Sequence, residues 1–247
     1  MKKTLSRNAA TRAKADRESA TSSHPHPPVA DEKKTRAGKS QVTQDRILDA
    51  AEELFAKLGL YGVTIREIAR RAKVDTALLH YYFGTKNGLF DAVLLRRAEL
   101  LNKDRVAALQ RCAEVRGKPS VEAALEAFVG PVFEALRSGG RGWENYCALV
   151  AQVNNMPVRG AEIMTRYFDP VVLRLIELLR RALPAARDAD LFWGYNMFTG
   201  ALTLTISETG RIDRLSDGLC RSRDLDEAER QLVAYGAAGF RRSARRA

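Results

Sequence analysis

TQDRILDAAEELFAKLGLYGVTIREIARRAKVDTALLHYYFGTK, residues 43–86, holds the pattern from which the fold is read. Ile47, Leu48, Ala51, Leu54, Phe55 and Leu58 recur at the spacing of one helical face, with Thr43 as the expected N-cap and Gly59 as the left-handed stop. Beyond the turn at Leu60–Val63, Thr64 and Glu67 have capping-box spacing and open a second helix. That helix turns Ile65, Ile68, Ala69 and Ala72 inward and leaves Arg66, Arg70 and Arg71 outside. After Lys73-Val74, Asp75 is placed to cap a third helix of about two turns, Thr76 to Tyr82, ended by Phe83-Gly84-Thr85. Two short helices joined by so brief a turn match the helix-turn-helix, whose second helix enters the major groove of DNA.

The run Thr64-Ile65-Arg66-Glu67-Ile68-Ala69, the segment Val74 to Leu79, the aromatic run His80-Tyr81-Tyr82-Phe83, and Gly84-Thr85-Lys86 with Leu89-Phe90 resemble the N-terminal domain of TetR-family transcriptional regulators. The resemblance covers residues 41–95. It departs at Lys73, where members usually carry Gly, and at Asp75, where they usually carry Ser. A non-Gly residue in a left-handed turn costs on the order of 1 kcal/mol, so Lys73 predicts a looser or reshaped turn. On this reading Thr76, Ala77 and His80 face base edges, Tyr81 and Tyr82 reach phosphates, Thr64 donates its hydroxyl proton to a phosphate, and Arg66 and Lys86 add charge at either side. Phe83 is assigned to the core.

Elsewhere the pattern is helical almost throughout, which makes the chain all-α. A three-helix DNA-binding domain over residues 41–90 is expected to precede a larger helical effector-binding and dimerisation domain over 91–247. A long helix runs from Lys86 to about Ala113, and Ser120 opens the next, ended by the glycines at 139–142. Trp143 to Asn155 follow, then Ala161 to Leu183 with Pro170 bending or dividing the helix, then Asp188 to Ser207 and Asp226 to Ser243. Residues 191–207 carry no charge, but Asn196 and several Thr and Gly residues argue for a buried helix rather than a membrane span. Gly200, Ala201, Gly236, Ala237 and Gly239 allow close helix approach, and the resemblance implies a homodimer through these last two long helices.

The resemblance also implies a small-molecule pocket in the larger domain. Trp143, Tyr146, Val150, Val153, Met156, Met164, Tyr167, Phe168, Trp193 and Met197 are candidates for an apolar lining, with Asn154, Arg166 or Asn196 as polar anchors. At helical spacing the same residues also suit plain core packing. The segment Tyr167-Phe168-Asp169-Pro170-Val171, with Leu183-Pro184 and Trp193, is loosely similar to members that respond to fatty acyl compounds, which favours a hydrophobic effector and leaves open whether it is acidic.

The net charge of +11 is uneven: residues 1–40 hold ten Lys or Arg against four Asp or Glu, whereas residues 41–90 hold seven against six. DNA binding therefore rests on the motif and not on bulk charge. Residues 1–40 hold almost no large apolar side chains and are expected to be disordered. They read either as a basic arm reaching phosphates or the minor groove, or as a solvated leader. No secretory h-region is present, and Gly38-Lys39-Ser40 fails as a phosphate loop because Lys33 stands where its first Gly belongs. Cys112, Cys147 and Cys220 lack metal-ligand spacing, and their scarcity fits a reducing cytoplasm. His80 is the one histidine outside the tail, so no nucleophile–histidine arrangement, metal or cofactor is expected and the chain is not expected to be an enzyme. The expected function is a homodimeric repressor on a palindromic operator. The alternative is a helical small-molecule binding protein that no longer reads DNA.

Overall fold

A computed structural model describes residues 29–244, and among them every regular element is a helix. In chain order these are α1 (Val29–Gly62), α2 (Ile65–Ala72), α3 (Thr76–Phe83), α4 (Lys86–Glu114), α5 (Val121–Ser138), α6 (Arg141–Asn154), α7 (Arg159–Tyr167), α8 (Asp169–Ala182), α9 (Asp188–Ile206), α10 (Arg211–Leu215) and α11 (Leu225–Ala244). The proposed basic arm lies outside the described residues as far as residue 28. From Val29 the chain is helical, so Thr43 does not begin α1. An N-cap needs extended backbone, and here helix-compatible residues on both sides carry the turn straight through. Gly59 breaks α1 as expected, at φ 72° and ψ 170°.

The caps read from the sequence are present. Thr64 accepts from the Glu67 N–H at 3.3 Å while Glu67 accepts from the Thr64 N–H at 2.8 Å, a complete capping box. Asp75 caps α3 through the Ala77 N–H at 2.7 Å, and Thr85 caps α4 through the Gly88 N–H at 3.0 Å. Ser120 caps α5 through the Ala123 N–H at 3.0 Å. Lys73 takes the left-handed conformation, φ 54° and ψ 49°, that the motif demands. The turn is not loosened, because the Val74 N–H still closes onto the Ala69 carbonyl at 3.0 Å.

Packing follows from the apolar faces. Ile47, Ala51, Phe55, Ile68 and Leu79 are buried with Leu89 and Phe90 of α4, and Phe55 meets Phe90 edge to face with ring centroids 5.2 Å apart. Burying a Phe of this kind stabilises the fold by about 2 kcal/mol. From Gln41 onward the chain forms one compact unit, and α4 serves both ends of it. The first turns of α4 close the α1–α3 core, and its later turns pack on α5 and α8. Pro170 divides the segment expected as one helix into α7 and α8, sitting in the first turn of α8 where a missing N–H costs nothing. The short α10 was not anticipated. α11 packs on α5 and α9, and its crossing with α9 depends on glycine. A Cβ on Gly236 would lie 2.6 Å from the Phe198 ring, and one on Gly194 would lie 2.5 Å from Phe240.

Candidate nucleic-acid interface and internal cavity

Helix α3 presents Ala77, His80 and Tyr81 to solvent, Tyr81 at 80% exposure, with Thr76 half-buried beside them. Leu79 on the opposite side is buried and anchors the helix to the core. Phe83 packs against that core as expected, and Tyr82 does so as well. Its ring stacks edge to face with Tyr81 at 5.0 Å. The His80 Nδ1 lies 2.9 Å from the Gly84 carbonyl. A carbonyl can only accept, so Nδ1 carries the proton and Nε2 is the nitrogen left for a base edge. Arg66 is exposed on α2.

Two of the expected phosphate contacts are altered by internal bonds. The Thr64 hydroxyl donates to the Glu67 carboxylate at 2.7 Å, so its proton is already used inside the capping box. That bond and the backbone bond from Thr64 hold the Glu67 carboxyl below its ordinary range. Lys86 is half-buried and donates from Nζ to the Val63 carbonyl at 2.9 Å, tying the start of α4 to the turn before α2. Its ammonium keeps two further hydrogens. Beneath α2, Arg71 bonds Glu53 at 2.5 Å.

The larger helical region encloses a cavity of about 40 Å³. Of the expected lining, Tyr146, Val150, Asn154, Met164 and Phe168 are present. Trp143, Tyr167, Trp193 and Met197 are not, and this corrects the expectation. Trp143 packs on Tyr146 and lies under the Arg97 guanidinium, at 5.6 and 5.3 Å. Tyr167 is half-buried, and its carbonyl accepts from Asn102 at 2.7 Å. Trp193 and Met197 are 64% and 61% exposed. Sequence alone does not separate them from the inward residues, because α9 is apolar around most of its circumference.

The lining also contains Arg105, which sequence reasoning missed. It is 6% exposed, its Nε donates to the Phe128 carbonyl at 2.9 Å, and its guanidinium carbon lies 4.5 Å from the centre of the Phe128 ring. The missed signal was spacing. Leu94, Ala98, Leu101, Arg105 and Leu109 form one stripe at intervals of three and four, so a cation stands in an apolar row. Burial pulls the Arg105 pKa below its ordinary value. Burial also raises the neighbouring Tyr146 hydroxyl well above its ordinary range and pushes the Cys147 thiol up to about 12, so both stay protonated.

Asn154, Thr199 and Thr203 are shared between this cavity and an outer groove of about 420 Å³ between α6 and α9, lined also by Asn155, Asn196 and Ser207. The cavity helices reach the α1–α3 region directly. Gln152 of α6 donates to the Ala56 carbonyl at 2.9 Å, and Arg159 of α7 bonds Asp91 at 2.5 Å near the start of α4. Among the described residues no group of three or more His, Cys, Asp and Glu is arranged to hold a metal ion. None of the described helices is long and apolar enough to cross a membrane.

Residues 47–93 match the family described as bacterial regulatory proteins, tetR family, and residues 126–239 match the tetracyclin repressor-like C-terminal domain. The HTH-type transcriptional regulator BetI of Escherichia coli (strain K12 / DH10B) is 26% identical over 178 residues, 71% of this chain and 88% of that protein. A TetR-like transcriptional regulator from Rhodococcus sp. RHA1 superposes with a TM-score of 0.53 at 22% identity, over 81% of this chain and 96% of that one. The fatty acid degradation regulator FadR from Bacillus halodurans superposes with a TM-score of 0.54 at 16% identity, over 76% and 97%. With the capped helix-turn-helix at one end and the helical domain with its cavity behind it, this chain belongs to the TetR family of transcriptional regulators.

Proposed function

We propose that the chain is a homodimeric repressor that reads a palindromic DNA site with α3 and is released by a hydrophobic small molecule held in the cavity of the larger domain. The observation that carries this reading is the pair of bonds Gln152–Ala56 and Arg159–Asp91. Helices that line the cavity are bonded to α1 and to the start of α4, against which the DNA-reading helices pack, so filling the cavity shifts their balance between two arrangements. In this scheme Thr76, Ala77 and His80 meet base edges, while Tyr81, Tyr82, Arg66 and Lys86 meet phosphates, with Thr64 fixing the entry to α2.

The dimer face is formed by Trp193, Met197, Gly200 and Leu204 on α9 and Tyr235 and Gly239 on α11, all of them exposed. The four α9 positions recur at intervals of four, three and four, a single stripe that none of the described residues covers. Gly200 and Gly239 have open space where a Cβ would stand, which suits a partner helix at close range. Twofold pairing there would set two α3 helices about 34–36 Å apart, one turn of DNA. The fatty acid regulator among the fold relatives agrees with an effector bearing an apolar tail. The cytoplasm is where such a regulator meets its DNA.

The test is retention of a duplex from the DNA upstream of the chain's own coding sequence, over random competitor at physiological salt. Specific retention that falls with Thr76→Ala and His80→Ala is expected. Retention unchanged by both substitutions would remove α3 from the reading role.

A further inference from the structure

The strongest unexplained feature of the molecule is a buried cation with no anion. Among the described residues no carboxylate lies within ion-pairing distance of Arg105, and its one hydrogen bond leaves from Nε, so the terminal amino groups that carry the fork geometry have no protein acceptor. The titratable groups that face it are Tyr146, Tyr195 and Cys147, none of them anionic at neutral pH. A guanidinium does not deprotonate in a protein and is costly to bury unpaired. The Tyr146 hydroxyl, also fully buried, lacks a partner as well and lines the same cavity. A second orphan donor beside the first is what one anionic oxygen pair would satisfy.

The rest of the wall fixes what else the ligand must be. Leu101, Phe128, Val132, Phe168 and Leu202 are apolar, with Asn154, Tyr195, Thr199 and Thr203 as the polar remainder, so a ligand charged at one end and carbon elsewhere matches this wall better than a phosphate or sulfate with oxygens on every side. A planar carboxylate presents two oxygens to one side and carbon to the other. The volume of about 40 Å³ admits a head group of that size. The outer groove, sharing Asn154, Thr199 and Thr203 with the cavity, gives the molecule a way in between α6 and α9.

We propose that Arg105, with Tyr146, is the seat of a carboxylate: the effector is a monocarboxylic acid whose charged head is buried beside Arg105 and whose carbon body lies along the apolar wall of Leu101, Phe128, Val132, Phe168 and Leu202. This deepens the effector reading above and rests on it, but it is tested without DNA, so its failure leaves DNA recognition standing and failed DNA recognition leaves it standing.

The measurement is the thermal midpoint of the full-length protein with acetate, butyrate and octanoate, each paired with the 1-alkanol of the same length. Carboxylates are expected to raise Tm in a saturable way, most strongly for octanoate, with the alcohols at least tenfold weaker. Arg105→Met should abolish the carboxylate response while the unliganded protein stays folded with Tm unchanged or higher, because an unpaired buried charge is replaced by an apolar stem. Tyr146→Phe removes one donor at constant shape and should weaken octanoate severalfold, a readout that survives if Arg105→Met does not fold. Equal stabilisation by octanoate and 1-octanol, no stabilisation by any of the three acids, or an undiminished response in Arg105→Met would each overturn the proposal.

Discussion

Arg96 and Arg97 on one turn of α4, and Arg105 about two turns further on, meet opposite surroundings. At the junction of α4 with α1, Glu52 is 3% exposed and accepts from Arg96 at 2.7 Å and from Arg97 at 2.8 Å, with Asp49 taking the other end of Arg96 at 2.7 Å. Burial works against the Arg96 charge, but the bonds to Glu52 and Asp49 outweigh it and hold its pKa above the ordinary value. One buried nitrogen there, Arg96 Nε, lacks an acceptor. Around Arg105 burial outweighs the attraction of Tyr146, Tyr195 and Cys147, and the pKa falls. The same side chain on the same helix is completed by the protein in one place and left incomplete in the other. A junction that must stay together satisfies its charges internally, whereas a site that must receive a ligand leaves them open.

The sharpest way to break that contrast is to remove the shared carboxylate. Glu52→Ala strands the Arg97 guanidinium and leaves Arg96 with Asp49 alone, and losing one partner of a buried pair costs about 3 kcal/mol or more. Chemical denaturation should show that loss, and a change below about 1 kcal/mol would mean the junction is merely a solvated cluster. At α3 the expected effect is on binding: Thr76→Ala and His80→Ala should each weaken the specific duplex by about tenfold, near the 1–3 kcal/mol of a good base contact. They should leave folding stability nearly unchanged. Arg105→Met should have the opposite sign to Glu52→Ala, leaving the unliganded protein as stable as before or more so, by up to about 1 kcal/mol. A clear destabilisation would show that the bond to Phe128 outweighs the unpaired charge. Smallest is Lys73→Gly, which relieves the left-handed strain at φ 54° and should add about 1 kcal/mol or less. A loss of stability there would mean the lysine stem contributes packing.

Much of the DNA-reading end was legible because its information is local. Thr64 with Glu67, Asp75, Thr85 and Gly59 specify caps and stops through bonds made within a few residues, and each stands where the sequence placed it. Even Lys73 obeyed the turn rather than loosening it. Thr43 failed for the converse reason: a cap depends on what precedes it, and the helix continued back to Val29. Lys86 was read as reaching outward, but its inward partner, the Val63 carbonyl, is set by how helices meet, while the Thr64 proton goes to Glu67 inside its own capping box. The cavity was half legible. Tyr146, Val150, Asn154, Met164 and Phe168 come from helices with a definite inner face, whereas α9 is apolar on several sides, so Trp193 and Met197 could not be told from Tyr195 and Thr199. Arg105 hid in plain sight, because arginine is common on helix surfaces and only its position in the stripe from Leu94 to Leu109 marks it as internal.

The most direct test joins the two regions. The affinity of the full-length protein for its specific duplex should be measured with and without saturating octanoate, in the wild type and in Arg105→Met. Octanoate is expected to weaken the wild-type complex by about 5- to 150-fold, the usual range of coupling between sites, and to leave the Arg105→Met complex unchanged. Octanoate that raises Tm yet leaves the wild-type Kd for DNA where it was would contradict the account.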